Sequence, residues 1–412
     1  MRVLIVSQYY WPEDFGAGML VPRLAEMLQH FGHQVTVLTG MPNYPGGHVF
    51  LQYRWSLFQM EEHNGVKLIR GRFYTSSRTS GAFRRGSSAL SFALSSILLS
   101  LATRKPEVVL TFSPPVFMGL AGLVISHRWG VPWILNVKDL FTESIIAAGL
   151  AKTGMATRLL YRLERSIYHS ANQIITNSPV FKEYLMNTAI PERRITVIPD
   201  WADGEFIRPL PPENRLRENW GLRGYFVVLY SGSMGYSSSL ETVLSAAKEL
   251  KDLSNVRFVL VGDGVKRRVL ERIAKKNQLS NVQFHQLQPL SRLPEVLGVA
   301  DVGLVTLSRQ AGKVSTQGKV YSLMAAGRPI VAVVPEDTDA GRIVNEGKFG
   351  WQINPEDPTS LSQLIREFIT NPRKVIVYGR RARDIFEKTY SLEVCARRFE
   401  ETLISLSRCT NA

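Results

Sequence analysis

Short β-branched runs alternate with longer helical patterns from one end of the chain to the other, and this rhythm restricts the fold more than any other feature. Val3 to Ser7, Gln34 to Thr39, Lys67 to Gly71, Val108 to Phe112, Trp133 to Val137, Gln173 to Thr176 and Thr196 to Pro199 form a first series. Phe226 to Ser231, Val256 to Gly262, Val282 to His285, Val302 to Leu307, Pro329 to Val334 and Gly350 to Ile353 form a second. Strands separated by helical stretches mark βα units and parallel sheets. Between the two series, Pro209, Pro211 and Pro212 sit in a polar stretch that reads as a linker. The chain of 412 residues therefore divides into two doubly wound α/β domains meeting near residue 210. Ligands of open parallel sheets bind outside the carboxyl ends of the strands, so two facing sheets predict one cleft between them as the site.

Composition removes whole classes. Apolar residues at 45% and charged residues at 21% are globular values, which exclude disorder, collagen and coiled coil. The two cysteines, Cys395 and Cys409, make neither a disulfide framework nor a thiolate zinc site, and they suit a reducing compartment. An excess of cations, +15 net, favours anionic partners: nucleic acid, acidic lipid or phosphorylated substrates. No nucleic-acid module is recognisable, so nucleic acid is not expected. The apolar run Val3 to Val6 is too short for the core of a secretory leader, and the chain is expected in the cytoplasm. The uncharged window Val108 to Ser126 has the length of a membrane span, but Ser113, Pro114 and Pro115 read as a turn between a buried strand and a helix that proline can start.

A second apolar window, Ser87 to Ala102, carries six serines and makes a poor span. Leu90, Leu94, Ile97 and Leu101 share one helical stripe while Phe92 and Leu99 lie opposite, so one face packs inward and the other is free to meet lipid. From His63 to Pro106 there is no Asp or Glu, yet there are Lys67, Arg70, Arg72, Arg78, Arg84, Arg85, Arg104 and Lys105. Such a patch, with Arg78, Arg84, Arg85, Arg104 and Lys105 as its foremost members, fits an anionic membrane surface without an anchor. It fits equally a solvated basic face over an ordinary core helix.

Phosphate motifs separate the remaining possibilities. Gly16, Ala17, Gly18 begin like a dinucleotide fingerprint, but Val21 replaces the last glycine and the second strand ends without a ribose-binding acid. Gly312 to Lys319 fails as a P-loop, because five residues separate its glycines and Val320 follows the lysine. Asp337 and Asp339 lack a supporting ligand cluster and read as a solvated loop, so no metal is expected. What remains are glycine-bearing turns at successive strand ends of the second series. Ser231, Gly232, Ser233, Met234, Gly235 precede a clear helix; Gly262, Asp263, Gly264 close the next strand; Lys319, Val320, Tyr321 open a third helix. Amides at such turns hold anions with help from the helix dipole, and their repetition in one sheet favours a diphosphate ligand.

With these turns in place, the sequence resembles glycosyltransferase family 4, in the bacterial subgroup that builds exopolysaccharide and O-antigen. The resemblance spans nearly the whole chain: SQYYWPEDFGAG near the start, NVKDLFTES at 136–144, VIPDWAD at 197–203, LYSGSMG at 229–235, VGDG at 261–264 and GKVYSLMAAGRPIVA at 318–332. It implies the GT-B architecture of two Rossmann-like domains facing a central cleft. Its divisions would be an acceptor-binding domain at 1–205, a nucleotide-sugar domain at 206–375, and final helices at 376–412 that cross back. It also implies a nucleotide-sugar donor as co-substrate, a glycan or polyprenyl-linked acceptor, no cofactor or catalytic metal, and retention of anomeric configuration. By the same resemblance Gly16 and Gly18 would lie beneath the donor diphosphate or the acceptor, and Asp139 and Glu143 would face the reacting sugar. Ser231, Gly232 and Gly235 would form the phosphate turn, Leu287 would lie where the base is held through main-chain contacts, Lys319 and Val320 would approach the diphosphate, and Glu336 would reach ribose.

Two departures stand out. Many relatives keep a lysine in the segment matching Tyr236 to Ser239, where this chain has tyrosine and serines; the family's paired glutamates fall here on Val314 and Ser322. The cation that meets the leaving diphosphate is then Lys319 or Lys313. Asp139 is expected to orient the acceptor or steady an oxocarbenium-like centre, or else to cap the next helix, a role Thr142 could share. Rival readings are a GT-B-like nucleotide-sugar epimerase, a glycoside hydrolase using Asp139 and Glu143, and a non-catalytic binder of anionic ligands. The epimerase lacks recognisable acid and base residues, and the hydrolase leaves the phosphate turns unexplained.

Overall fold

In the computed structural model, residues 1–13, 17–77, 80–147, 154–211, 214–311 and 318–411 are described. The chain forms two compact units, Met1–Pro199 with Cys395–Ala412 and Asp200–Val394.

The first unit is built on eight strands: β1 (Arg2–Val6), β2 (Gln34–Gly40), β3 (Phe58–His63), β4 (Val66–Gly71), β5 (Val108–Ser113), β6 (Trp133–Val137), β7 (Gln173–Thr176) and β8 (Ile195–Val197). Their order is β3-β4-β2-β1-β5-β6-β7-β8, all parallel except β3 against β4. Parallel strands covered on both faces read as continuous apolar runs, and β5 and β6 are buried at every residue. One face carries a core that includes Phe92, Trp133, Ile167 and Phe181. The uncharged window after β5 becomes the helix Phe117–Trp129, ended by Gly130 in the left-handed conformation. The helix Leu392–Asn411 buries Cys395, Ala396, Phe399 and Leu403. Glu400 there meets His33 at 2.9 Å, and the Arg397 guanidinium lies 3.5 Å from the Phe31 ring centroid.

The antiparallel strand β3 is absent from the expected series. Its residues alternate exposed and half-buried, so it has no apolar run to announce it. The signal lay in the two residues beyond it. Asn64 and Gly65 have φ of 51° and 79°, the pair of positive values that a tight two-residue hairpin turn demands.

The second unit has β9 (Phe226–Ser231), β10 (Val256–Val261), β11 (Val282–His285), β12 (Val302–Thr306), β13 (Ile330–Val333) and β14 (Gly350–Ile353), ordered β11-β10-β9-β12-β13-β14 and wholly parallel. Its two cores lie on opposite faces, one around Leu229, Val305, Tyr321 and Phe386, the other around Tyr230, Phe258, Leu304 and Phe368. The helix Pro372–Ile385 belongs to this unit: Arg383 donates to the carbonyls of Ile207 and Ala325 at 3.0 and 2.6 Å. In both sheets the strand order reverses beside the first strand, between β1 and β5 and between β9 and β12. That reversal opens a crevice at the strands' carboxyl ends, where ligands of such sheets bind.

Candidate functional site

The crevice of the second unit is made by the segments that leave β9 and β12. They are laced together: Ser308 donates its amide to the Ser237 carbonyl at 2.7 Å, and the Ser239 hydroxyl donates to the Leu307 carbonyl at 3.0 Å. After Ser231 the chain turns at Gly232, whose φ of 146° strains any residue with a side chain. Gly262 and Gly264 repeat the conformation at 149° and 150°. Each is packed so that a Cβ would collide with a main chain, Gly262 with Gly232 and Gly264 with Met234. The Met234 amide donates to the Asp263 carbonyl at 2.8 Å, and the Lys266 amide to the Met234 carbonyl at 3.0 Å. These glycines let two strand-end turns lie backbone against backbone.

Lys319 sits on this platform. Its side chain fills the space a Cβ on Gly232 would occupy. The ammonium donates to the Tyr230 hydroxyl at 2.9 Å and lies 4.3 Å from that ring's centroid. The Tyr230 hydroxyl in turn donates to the Ser233 carbonyl at 2.6 Å, and the ring is fully buried. The half-buried ammonium is thus steered by a rigid aromatic, and no carboxylate among the described residues pairs with it. The neighbouring cations are committed: Lys266 pairs with Glu241 at 2.7 Å and Arg267 with Glu271 at 2.8 Å.

The other expected positions of this unit are dispersed along the same sheet edge. Gly235 accepts from the Ser238 hydroxyl at 2.8 Å. Asp263 is exposed, and its carboxylate accepts the Gly264 amide at 2.8 Å. Val320 is buried in the core, so only its main chain is available to a ligand. Leu287 is exposed just beyond β11. There His285 stacks on Trp220 at 4.0 Å, and burial followed by the charge of Arg267 holds its imidazole below its usual range. Glu336 is exposed after β13. Lys313 and Val314 lie outside the described residues, as do Gly16 and Arg78. Asp339 pairs with Arg342 at 3.3 Å, and among the described residues no group of three or more ligating side chains forms.

In the first unit the turn after β1 is closed by an acid that the sequence did not single out. Glu13 is buried; one carboxylate oxygen accepts the amides of Asn43 and Tyr44, each at 2.8 Å, and the other accepts the Tyr10 amide at 3.3 Å. Burial pushes this carboxyl up to about 6, against the opposing pull of the three amides and of Arg70. A Cβ on Gly18 would collide with the Glu13 carbonyl, so this glycine serves the close approach of its helix to the turn. Arg70, counted above with the surface cations, is fully buried: it pairs with Glu61, donates to the Gly40 carbonyl at 3.2 Å and lies 5.2 Å from the Tyr53 ring centroid. Charge read along a sequence carries no depth, and Arg70 leaves the basic patch.

Asp139 lies half-buried between β6 and the helix Phe141–Ala147. The amides of Phe141 and Thr142 go to Glu164, a buried residue of the helix Met155–Ser170 that also accepts the Tyr168 hydroxyl at 2.7 Å; burial raises its carboxyl. Glu143 accepts the Tyr161 hydroxyl, and burial together with that bond raises the phenol to about 12.

The helix Ala82–Leu99 divides as its periodicity predicts, with one exchange. Ala89, Phe92, Ala93 and Ser96 are buried, while Phe83, Leu90, Leu94, Leu98 and, just past its end, Leu101 are exposed. Leu98 takes the outward place assigned to Ile97, which packs against the core. The stretch Phe83–Ala102 is long and apolar enough by composition to cross a membrane, yet 39% of it is buried inside the protein. Arg84, Arg104 and Lys105 are exposed and Arg85 is half-buried.

Comparison with known proteins agrees with this layout. Residues 15–201 match the glycosyl transferase 4-like domain and residues 225–371 match the glycosyl transferases group 1 domain. The probable glycosyltransferase WbjE of Pseudomonas aeruginosa is 28% identical over 74% of this chain and 76% of its own. The putative colanic acid biosynthesis glycosyl transferase WcaI of Escherichia coli is 27% identical over 97% and 98%. Among solved structures, Anabaena Alr3699/HepE in complex with UDP superposes with a TM-score of 0.73 at 15% identity, covering 98% of this chain and 100% of that one. Two parallel-sheet units of this order constitute the GT-B fold. Two family domains in sequence order, on that fold, leave one conclusion: the chain belongs to the family 4 and group 1 glycosyltransferases.

Proposed function

We propose that the protein transfers a sugar, with retention, from a nucleoside-diphosphate donor to a glycan or polyprenyl-diphosphate-linked acceptor during cell-surface polysaccharide synthesis. The observation that carries this reading is Lys319, an ammonium held over the Gly232 turn and lacking a carboxylate partner among the described residues. Anabaena HepE, similar in fold, was crystallised with UDP-glucose, and the relative WcaI is named for colanic acid biosynthesis. Both support the donor class and the pathway type.

The chemistry follows from charge. As the bond between the sugar's anomeric carbon and the diphosphate breaks, both bonding electrons go to a phosphate oxygen. Preorganised donors aimed at that oxygen are worth more in the transition state than in the ground state. Lys319 supplies the charge in this reading, with the main chain of Ser231 and Gly235 beside it; the Gly232 amide is given to the Val261 carbonyl at 2.8 Å, so Gly232 serves the close approach of the turn, with Gly262 to Gly264 flanking. No metal is called for. The acceptor hydroxyl then bonds to the anomeric carbon on the face the diphosphate leaves, and its proton passes to the departing phosphate oxygen. Asp139 orients that hydroxyl or steadies the positive carbon, with Glu143 beside it. Leu287 offers main-chain contacts to the base and Glu336 a carboxylate to ribose.

The same reading places the enzyme on the inner face of the membrane. The outward ridge from Phe83 to Leu101, flanked by Arg84, Arg85, Arg104 and Lys105, matches a monotopic surface. Labelled UDP- and GDP-sugars, incubated with the protein and a membrane lipid extract, test the proposal. Label is expected in the lipid phase; an isomerised donor without transfer would indicate an epimerase, and an unchanged donor a binding role.

A further inference from the structure

At the opposite edge of the first sheet, below the amino ends of β1, β2 and β4, lies a recess of about 250 Å³. Arg2, Lys67 and Arg104 line it, with Gln34, Thr36 and Thr103 between them, and among the described residues no carboxylate does. Arg2 uses its Nε on the Lys105 carbonyl at 2.9 Å, and its main-chain amide meets Glu107 at 2.6 Å. Lys67 and Arg104 have no ion pair with any described residue. Glu62 faces Lys67 in the β3–β4 register without bridging to it. Three like charges around one concave, polar recess repel one another, and a bound anion removes that cost. Cations and hydroxyls lining one recess suit a phosphate, which accepts several hydrogen bonds at once.

We infer that this recess is a phosphate-binding site, separate from the strand-end turns of the second unit. Its source is either soluble phosphate or the headgroup of an anionic lipid. The second source rests on the membrane reading above: Arg104 lies three residues beyond Leu101, the end of the outward ridge, which sets the recess near headgroup level when the ridge meets a bilayer.

The full chain is titrated with inorganic phosphate at constant ionic strength, followed by thermal unfolding. It is also floated with phosphatidylcholine vesicles with or without phosphatidic acid. Lys67→Gln with Arg104→Gln is compared with Lys67→Arg with Arg104→Lys, and Lys319→Ala is run in parallel to identify phosphate held at the donor turns. Lys67 and Arg104 are both exposed, so neither pair of substitutions disturbs the core. The glutamine pair is expected to weaken the phosphate response about tenfold and the charge-preserving pair to retain it. Loss of phosphatidic-acid preference in the glutamine pair assigns the headgroup; a phosphate loss with unchanged flotation assigns soluble phosphate. A wild type that floats with no vesicle while its phosphate response still depends on the recess sinks the membrane reading and leaves the site standing. Equal responses in wild type and the glutamine pair, or none in either, overturn the site.

Discussion

The first turns of the two sheets solve one local problem in opposite ways. Each follows the strand beside which the order reverses, and each needs glycine for close approach. In the first unit the amides that gather there, those of Tyr10, Asn43 and Tyr44, are already taken by a carboxylate of the chain itself, Glu13. In the second unit the Gly232 turn is capped by a cation, Lys319, which no carboxylate among the described residues pairs with. A built-in anion closes a turn to anionic ligands, whereas an ammonium that no carboxylate among the described residues pairs with invites one. On the proposed reading the diphosphate belongs to the second unit, and the first turn is a structural latch.

Four substitutions break or sharpen this contrast. The largest effect belongs to Arg70→Met, which strands Glu61 beside a buried apolar side chain. Removing one partner of a buried pair costs about 3–5 kcal/mol, read as a lower urea midpoint, with nucleotide affinity unchanged in protein that remains folded. Next is Lys319→Ala, expected to lower turnover about a hundredfold, roughly 3 kcal/mol of transition-state stabilisation, while the unfolding midpoint stays near wild type. Equal activity in the two proteins would remove Lys319 from the mechanism.

Gly18→Ala forces a methyl into the Glu13 carbonyl. A loss of about 1–3 kcal/mol is expected, the usual cost of overpacking, and nucleotide affinity should hold; a variant of normal stability that fails to bind donor would move the diphosphate to the first unit. Glu13→Gln gives the smallest effect and the most specific signature. A carboxyl pushed up to about 6 from 4.5 keeps its proton longer folded than unfolded. Its contribution is therefore fully present below about pH 4.5 and is lost as pH rises through about 6, a fall of about 2 kcal/mol. Urea titrations between pH 4 and 7 should show that slope in wild type and a flatter one in Glu13→Gln.

Much of this architecture is legible in the sequence because buried parallel strands must be apolar throughout and must end in turns. β3 escaped because an edge strand with one wet face dilutes its apolar signal, and only Asn64-Gly65 betrays it. The glycine turns were visible for a similar reason, since Gly232, Gly262 and Gly264 recur after strong strands. Their partner was partly visible: Lys319 could be named, but the Tyr230 contact that aims it joins residues far apart in the chain. Glu13 was hidden because its partners are main-chain amides, which every residue has. Arg70 was misplaced because neighbours in sequence say nothing about depth.

The central claim is that the strand-end turns of the second unit and Lys319 hold a nucleotide's diphosphate. Calorimetric titration of UDP and of GDP into wild type and Lys319→Ala tests it most directly. The account predicts that one of them binds wild type and binds the variant at least about tenfold more weakly, a difference of roughly 1.4 kcal/mol. Equal affinity in the two proteins, or binding of neither nucleotide, would contradict it.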